Sequence, residues 1–423
     1  MNYNTLLIRL GIDPSNFVNQ ELVPIVSDDT FIYEVKQRTD IRICPRCSSE
    51  DCHIHDHDIV EINCCQTDQI KDILRIIKVM FKCNHCSRTF TPPIKGIDPY
   101  SKTSIQTEQM IIRDFFKPVP FASIAERYSL SPARIIQIFD ERISYVPRGK
   151  LPAVLCIDEI RFREEINQNY CCVLYDHGSR TLVDIIRNRQ LPYLHDYFSS
   201  IPEGERMNVK YFVSDMYDAY RTVCRRYFPH ALHIVDLFHV ISLLTNALNA
   251  IRYSHVKMNS SSPSPEIRFM KSNWRLFLCR RENIPDRWYA PKGYGKAVHY
   301  TDMVHRCLCR DDVLLEGYNI LQDLYHYNRN DTFSKSLSFI EYISDRLLGS
   351  SDDRLVSVGR SYQKWKIEIA DGLAKNQTGR YYSNGVAESI NNHLKTIIKS
   401  AYGYHNFERF RKRALLIFNY KKT

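Results

Sequence analysis

The sequence predicts a multidomain α/β protein: a mixed five-stranded sheet with flanking helices, followed by an all-helical insertion and preceded by two small modules. Three observations predict it. Short runs rich in β-branched and aromatic residues (AVLCIDEIRF, NYCCVLYD, TLVDIIR, VKYFVSD and ALHIVD) crowd residues 153–236. Residues 240–380 carry helical patterns and no convincing strand. Ahead of both lie two CxxC pairs and a run patterned as two short helices around a tight turn.

In chain order, residues 1–40 read as a lead-in with one alternating segment, FIYEVKQ. A cysteine-rich module spans 41–95 and is closed by Thr91-Pro92-Pro93, through which no helix or central strand continues. Residues 100–147 are helical in pattern, and Pro147, Gly149 and Pro152 mark a linker. The first part of the core occupies 150–240. Its first three strand runs follow in quick succession, which predicts an antiparallel meander. The last two alternate with helices near 191–200 and 217–227, which predicts parallel additions. The helical insertion covers 241–380, with SSSPSP at 260–265 as a loop. Residues 381–423 return an amphipathic helix from about 384 and a basic tail.

A chain of 423 residues with 44% hydrophobic and 25% charged residues has room for two to four domains and an ordinary globular core. No stretch approaches the roughly 18 to 20 uncharged apolar residues of a membrane span. The start, MNYNTLLIRLGIDPSNF, lacks the layout of a signal peptide, so a cytosolic location is expected. The net charge of +10 suits a polyanionic partner, and its distribution says more. Residues 252–296 carry ten Lys or Arg against three acids, and 395–423 carry eight against one. The plain alternative for each is a solvated basic face.

Fourteen cysteines without an export signal argue for thiols or metal ligands rather than disulfides. Cys156, Cys171 and Cys172 sit in apolar strand runs and read as small buried hydrophobes. ICPRC and KCNHC are different. Cys44 and Cys47, then Cys83 and Cys86 after 35 intervening residues, offer the four soft ligands that one structural Zn²⁺ wants. The long interval should hold an extra strand pair, EINCC with LRIIKVMFKC. Cys52, His53, Cys64 and Cys65 compete as ligands.

The run FASIAERYSLSPARIIQIFDERI fits a helix-turn-helix. Ile124, Tyr128, Leu130, Ile135 and Ile138 fall where the two helices pack, and Ala125 where they approach closely. Ser131-Pro132 is an N-cap and first-turn pair. Ser129 stands in the turn, where glycine is common. Ala133, Arg134 and Gln137 would face a DNA major groove; a plain packing hairpin is the alternative.

Three acids remain. Asp158 terminates a strand of otherwise apolar residues, Asp215 follows another, and Glu388 opens the late helix in SNGVAESINNHLK. Converging carboxylates repel one another, and divalent metal is the usual relief. Glu159 alternates to the opposite strand face from Asp158, and Asp218 is the rival to Asp215. In the late helix Val386, Ile390, Leu394 and Ile397 form the buried stripe, and Glu388 lies on the other side. Lys395 lies two turns further along the Glu388 face, and Asn384, Asn391 and Asn392 crowd the same end. Acid for metal with lysine for phosphate points to phosphoryl transfer on a nucleic-acid backbone; an exposed ion pair is the bland alternative.

Taken together, the CPRC and CNHC pairs, the helix-turn-helix, CIDE, VSDMYDAY, VDLFHV, and NGVAESINNHLK followed by AYGYHNFERF resemble bacterial insertion-sequence transposases of the DDE type, the ISL-three family, over nearly the whole chain. The resemblance implies an RNase H-like core interrupted by a helical insertion, with Asp158, Asp215 and Glu388 as the triad holding two Mg²⁺ or Mn²⁺ ions. It also implies that Asp236 and His239 form a D-x-x-H element near the scissile phosphate, a structural hydrogen bond being the rival role. The function expected is a transposase that binds terminal inverted repeats, cleaves the phosphodiester at the ends and joins 3′-hydroxyls to target DNA. Double-stranded DNA is the expected partner, a homodimer or higher oligomer the synaptic form, and the nucleoid the place of work. A domesticated, non-catalytic regulator and a structure-specific nuclease are the alternatives.

Overall fold

A computed structural model describes residues 3–18, 23–40, 42–63, 71–98, 102–165, 168–290, 292, 295–327, 331–374, 385–400 and 406–420. The chain divides into two compact units, Met1–Arg148 with Asn392–Thr423, and Gly149–Asn391.

The first unit opens with α1 (Tyr3–Arg9), β1 (Ile25–Ser27), β2 (Thr30–Lys36), β3 (Cys52–Asn63), β4 (Lys71–Cys83) and β5 (Thr89–Phe90). They form a sheet of order β1-β2-β4-β3, with β5 pairing on β4. The expected pairing of the two strands between the cysteine knuckles is present: β3 and β4 run antiparallel, Cys52 opposite Cys83 and Asn63 opposite Ile73. Cys64 and Cys65 lie outside the described residues. Residues read as a lead-in do more than lead in. β2 lies parallel to β4, Thr30 opposite Lys71 through Lys36 opposite Ile77. Val35, Ile62, Leu74 and Ile76 are buried with Leu6, Leu7 and Leu10 of α1 and its following residue.

The helical part comprises α2 (Ile105–Asp114), α3 (Phe121–Arg127) and α4 (Pro132–Arg142). Ile124, Ala125, Tyr128, Ile135 and Ile138 are buried together with Ile111, Phe115 and Phe139, and Leu130 packs against them. Ser129 takes φ +51°, the left-handed conformation that makes glycine common at such turns. The Ser131 hydroxyl accepts from Arg134 N at 3.2 Å, capping α4 ahead of Pro132.

The second unit carries β6 (Val154–Glu165), β7 (Gln168–Asp176), β8 (Thr181–Ile186), α5 (Leu191–Ser199), α6 (Glu203–Arg206), β9 (Tyr211–Ser214), α7 (Asp218–Tyr227) and β10 (Leu232–Val235). The sheet is mixed and five-stranded, β10-β9-β6-β7-β8. β6, β7 and β8 pair antiparallel, while β9 joins β6 and β10 joins β9 in parallel. Leu155, Ile157, Cys172, Leu174 and Phe212 are buried against Leu194 and Phe198 of α5 and Tyr220 and Val223 of α7.

Then come α8 (Leu237–Met258), α9 (Pro265–Ser272), β11 (Trp288–Tyr289), β12 (Val298–His299), α10 (Tyr300–Leu308), α11 (Asp312–His326), α12 (Phe333–Leu348), α13 (Asp353–Lys364) and α14 (Lys366–Leu373). The insertion is therefore not all-helical: Trp288 and Tyr289 pair with His299 and Val298 in a small antiparallel ribbon. Two residues per strand give periodicity nothing to register, which is why the run read as helix or loop. The helices share one large core, with Leu244, Leu248, Met303, Leu321, Ile340 and Leu355 nearly solvent-free. Gly372 lets α14 lie on β10, since a Cβ there would meet Val235 O at 2.5 Å.

Last come α15 (Gly385–Ser400), whose residues through Asn391 belong to the second unit, and α16 (Phe407–Tyr420), in the first. Within the first unit α16 docks on the helical part. Arg413, 1% exposed, donates to Lys117 O at 2.9 Å and Val119 O at 2.8 Å. Arg409 grips Asp140 with two nitrogens at 2.9 and 2.7 Å, and Lys412 donates to Ile143 O. Basic residues of the expected tail thus hold protein rather than stand as a solvated face. Among the described residues no helix is long and apolar enough to cross a membrane.

Candidate active site and metal centre

The two short parallel strands of the second unit, β9 and β10, run out into aspartates. Cys156 of β6 stands opposite Val213 of β9, so the register continued by two residues brings Asp158 level with Asp215. Ser214 stands opposite Val235 of β10, so one further residue brings Asp215 level with Asp236. Three neighbouring strands therefore present an acid at the same edge, the carboxyl end, where α/β sheets place their sites. One expectation needs amending. Asp158 does not terminate its strand: β6 runs on to Glu165, and it is the partner β9 that stops.

Asp158 Oδ1 accepts from Glu159 N and Oδ2 accepts from Asn391 Nδ2 of α15, both at 2.8 Å. His239, in the first turn of α8, places Nε2 at 4.0 Å from Asp158 Oδ1 and 3.9 Å from Asp236 Oδ2. Asp236 is fully buried, and its Oδ1 accepts from Phe238 N to cap α8. The D-x-x-H spacing is thus a helix cap and the residue one turn later, which swings the imidazole back between two aspartates. Asp218 opens α7, is well exposed, and pairs with Lys364 at 2.6 Å.

Glu159 turns to the other face, as strand alternation requires. There Tyr220 Oη donates to Oε1 at 3.0 Å and Arg189 Nη1 to Oε2 at 2.7 Å. Arg189 lies over the rings of Tyr170 and Tyr217 at 5.0 and 5.1 Å. Burial pushes Asp215 up to about 7, the charge of Glu159 adds to the rise, and His239 opposes it. Burial likewise raises Asp158 above the usual carboxylate range, against the pull of the Glu159 N–H and of His239. Among the described residues, Asp215 Oδ1 is buried without a hydrogen-bond partner. An acid edge that is at least half-buried, mutually repelling and, at Asp215, short of a donor among the described residues fits a cation.

Glu388 is exposed in the first turn of α15, one turn before Asn391. Lys395 is exposed two turns on, while Ile390, Leu394 and Ile397 are buried; Asn384 and the side chain of Val386 lie outside what is described. Glu388 is not gathered tightly with the aspartates. Among the described residues the sole set of three or more possible ligands with donor atoms within 4.8 Å of one another is Cys44, Cys47, Cys83 and Cys86.

Those four thiols fit zinc. Cys44 Sγ lies 3.6 Å from Cys86 Sγ and Cys47 Sγ 3.6 Å from Cys83 Sγ. A tetrahedron of Zn–S bonds of about 2.3 Å has edges of roughly 3.8 Å. The backbone N–H of Cys86 holds the Cys83 thiol down to about 6, so a thiolate is ready there. Cys52 turns its thiol to Ser49 O, and His53 Nδ1 lies 2.7 Å from Asn84 Oδ1. On α4, Ala133 and Gln137 are exposed and Arg134 is half-buried beside Glu141, to which Gln137 donates at 2.7 Å.

Asn391 and Arg189 are the residues that sequence reasoning left without a part. Nothing local marks Arg189, and Asn391 stood out only as one asparagine of several.

Residues 155–414 match the ISL3 family of DDE transposases, described as a transposase family, and the chain belongs to it. Membership implies divalent-metal use. The chain is similar, at 20% identity over 383 residues, to the transposase for insertion sequence element IS1001 of Bordetella parapertussis, covering 89% of this chain and 88% of that protein. A segment of 117 residues is 32% identical to a Lactococcus lactis subsp. lactis protein named an ATP-dependent protease. That segment is 27% of this chain and spans about a third (34%) of the relative, too little to carry its name across.

Proposed function

We propose that this chain is the DNA transposase of an insertion sequence, which binds the element's terminal inverted repeats, cleaves the phosphodiester at the ends and joins the 3′-hydroxyls to target DNA. The observation that carries the reading is the in-register row of Asp158, Asp215 and Asp236, with the helix bearing Glu388 hydrogen-bonded to that row through Asn391. Asp158, Asp215 and Glu388 would hold two Mg²⁺ or Mn²⁺ ions, on an RNase H-like sheet. Such ions supply Lewis-acid stabilisation and lower the pKa of bound water.

The side chains do the rest. Glu388, exposed in the first turn of α15, would supply the third carboxylate to the ions. Lys395 holds a phosphate oxygen on the same helix face. His239, 4.0 Å from Asp158 and 3.9 Å from Asp236, would take the proton of the attacking water or 3′-hydroxyl. In hydrolysis water forms the new P–O bond, the bond to the 3′-oxygen breaks, and the exposed 3′-hydroxyl later repeats the displacement on target DNA.

End recognition falls to the helix-turn-helix, with Ala133, Arg134 and Gln137 toward the major groove, beside a ribbon stapled by one structural Zn²⁺. Two ends must be brought together, so a homodimer or larger synaptic assembly is the working form, at the nucleoid. In a strand-cleavage assay with Mn²⁺, Asp158→Asn should abolish cutting and leave binding of the repeats intact. Undiminished strand transfer by that variant would sink the proposal.

A further inference from the structure

Asn391 is 7% exposed, yet only half of its amide is engaged. Nδ2 donates to Asp158 Oδ2 at 2.8 Å; Oδ1 is buried and has no hydrogen-bond partner among the described residues. The form of Asp158 that would bind a metal is the carboxylate, which only accepts and so faces the NH₂. A buried orphan acceptor asks for an explanation. It does not stand alone: Asp215 Oδ1, just past the end of the neighbouring strand, is also buried and unpartnered among the described residues. Two acceptors near Asp158 therefore lack a donor among those residues. The cationic groups that Asp215 feels are His239 and Arg189, and Arg189 is committed to Glu159.

We infer that Asn391 is a positioning residue of the active site, fixing the carboxylate of Asp158 through Nδ2 and accepting through Oδ1 from water bound to the divalent ion. The inference rests on the metal-dependent reading proposed above. The residue type suits the task. An aspartate at 391 would add a further negative charge against Asp158, and an aliphatic residue would leave that carboxylate free to turn. An amide is neutral and offers one donor and one acceptor. Its position also ties it to Glu388: the two are three residues apart on α15, so the contact that orients Asp158 also holds the Glu388 turn at the sheet edge. Asn392, next in the chain and exposed, makes no such contact among those described and serves as the control.

The test is Mn²⁺ binding to the full-length protein without DNA, read from the electron paramagnetic resonance of free Mn²⁺, alongside cleavage titrated with Mn²⁺. Asn391→Leu keeps the branched shape and removes both polar functions. It should weaken Mn²⁺ binding about 10- to 100-fold, the range for lost outer-sphere partners, and cleavage should recover partly at high Mn²⁺. Asn391→Ser, too short to span both roles, should show the same direction in a better-tolerated side chain. Asn392→Ala should match wild type. A merely structural asparagine would lower the melting temperature and leave Mn²⁺ affinity within twofold, and that result overturns the inference. Asp158→Asn separates the two failures. If it abolishes Mn²⁺ binding while both Asn391 variants bind normally, the positioning role alone falls; if wild type and Asp158→Asn bind Mn²⁺ alike, the metal-site reading falls with it.

Discussion

Asp215 ionises against its surroundings: burial and the neighbouring charge of Glu159 raise it from 3.8 to about 7. The folded chain then holds this proton more tightly than the unfolded chain does. The stability that this group contributes is fully present below about pH 3.8 and is lost as pH rises through about 7. Without divalent ion, Asp215→Asn should therefore stabilise the protein at pH 8, by on the order of 2–4 kcal/mol, and change little near pH 4. Calorimetry in metal-free buffer, without a chelator that would strip zinc, measures it; equal melting temperatures at pH 8 would refute the burial argument. Added Mn²⁺ should raise the wild-type melting temperature and leave the variant's almost unmoved. Asp158 and Asp215 were legible in the sequence because a charge interrupting an apolar strand run needs a reason. The partner of Asp158 was not, since Asn391 lies 233 residues away and no local pattern encodes that contact.

Elements show the same division. The meander β6–β8 and the parallel β9 and β10 could be read because a two-residue period and the intervening helices fix both type and sense. The place of β2 beside β4 and the docking of α16 could not, because both are pairings between distant segments. Asp236 illustrates the mixed case: the D-x-x-H spacing was visible, but its use as the α8 cap needed coordinates. The α16 contact makes a sharp prediction. Arg413→Ala removes a buried guanidinium and strands the carbonyls of Lys117 and Val119 just ahead of the α3–α4 pair. It should cost on the order of 3 kcal/mol in urea unfolding and make repeat binding heat-labile, while the exposed Lys399 replaced by Ala should cost almost nothing.

For the whole molecule, the charge of +10 overstates what is available to a polyanion. Besides Arg409, Lys412 and Arg413, the insertion commits Arg252 to Met270 O and Asn249, Arg268 to Pro263 O, and Arg287 to the ring of Tyr300. Exposed lysines such as Lys271 and Lys292 are better placed to meet phosphates. Each phosphate neutralised adds about 0.9 to the slope of log affinity against log salt. If the insertion contacts DNA as its charge suggests, Lys271→Gln and Lys292→Gln should each lower that slope by about one, with no change in melting temperature. Arg252→Gln should do the reverse, lowering the melting temperature and leaving the slope of the folded protein intact. Binding isotherms for a duplex carrying the terminal repeat, taken at several salt concentrations from about 50 to about 200 mM, separate the two; slopes indifferent to both lysines would move DNA contact away from the insertion.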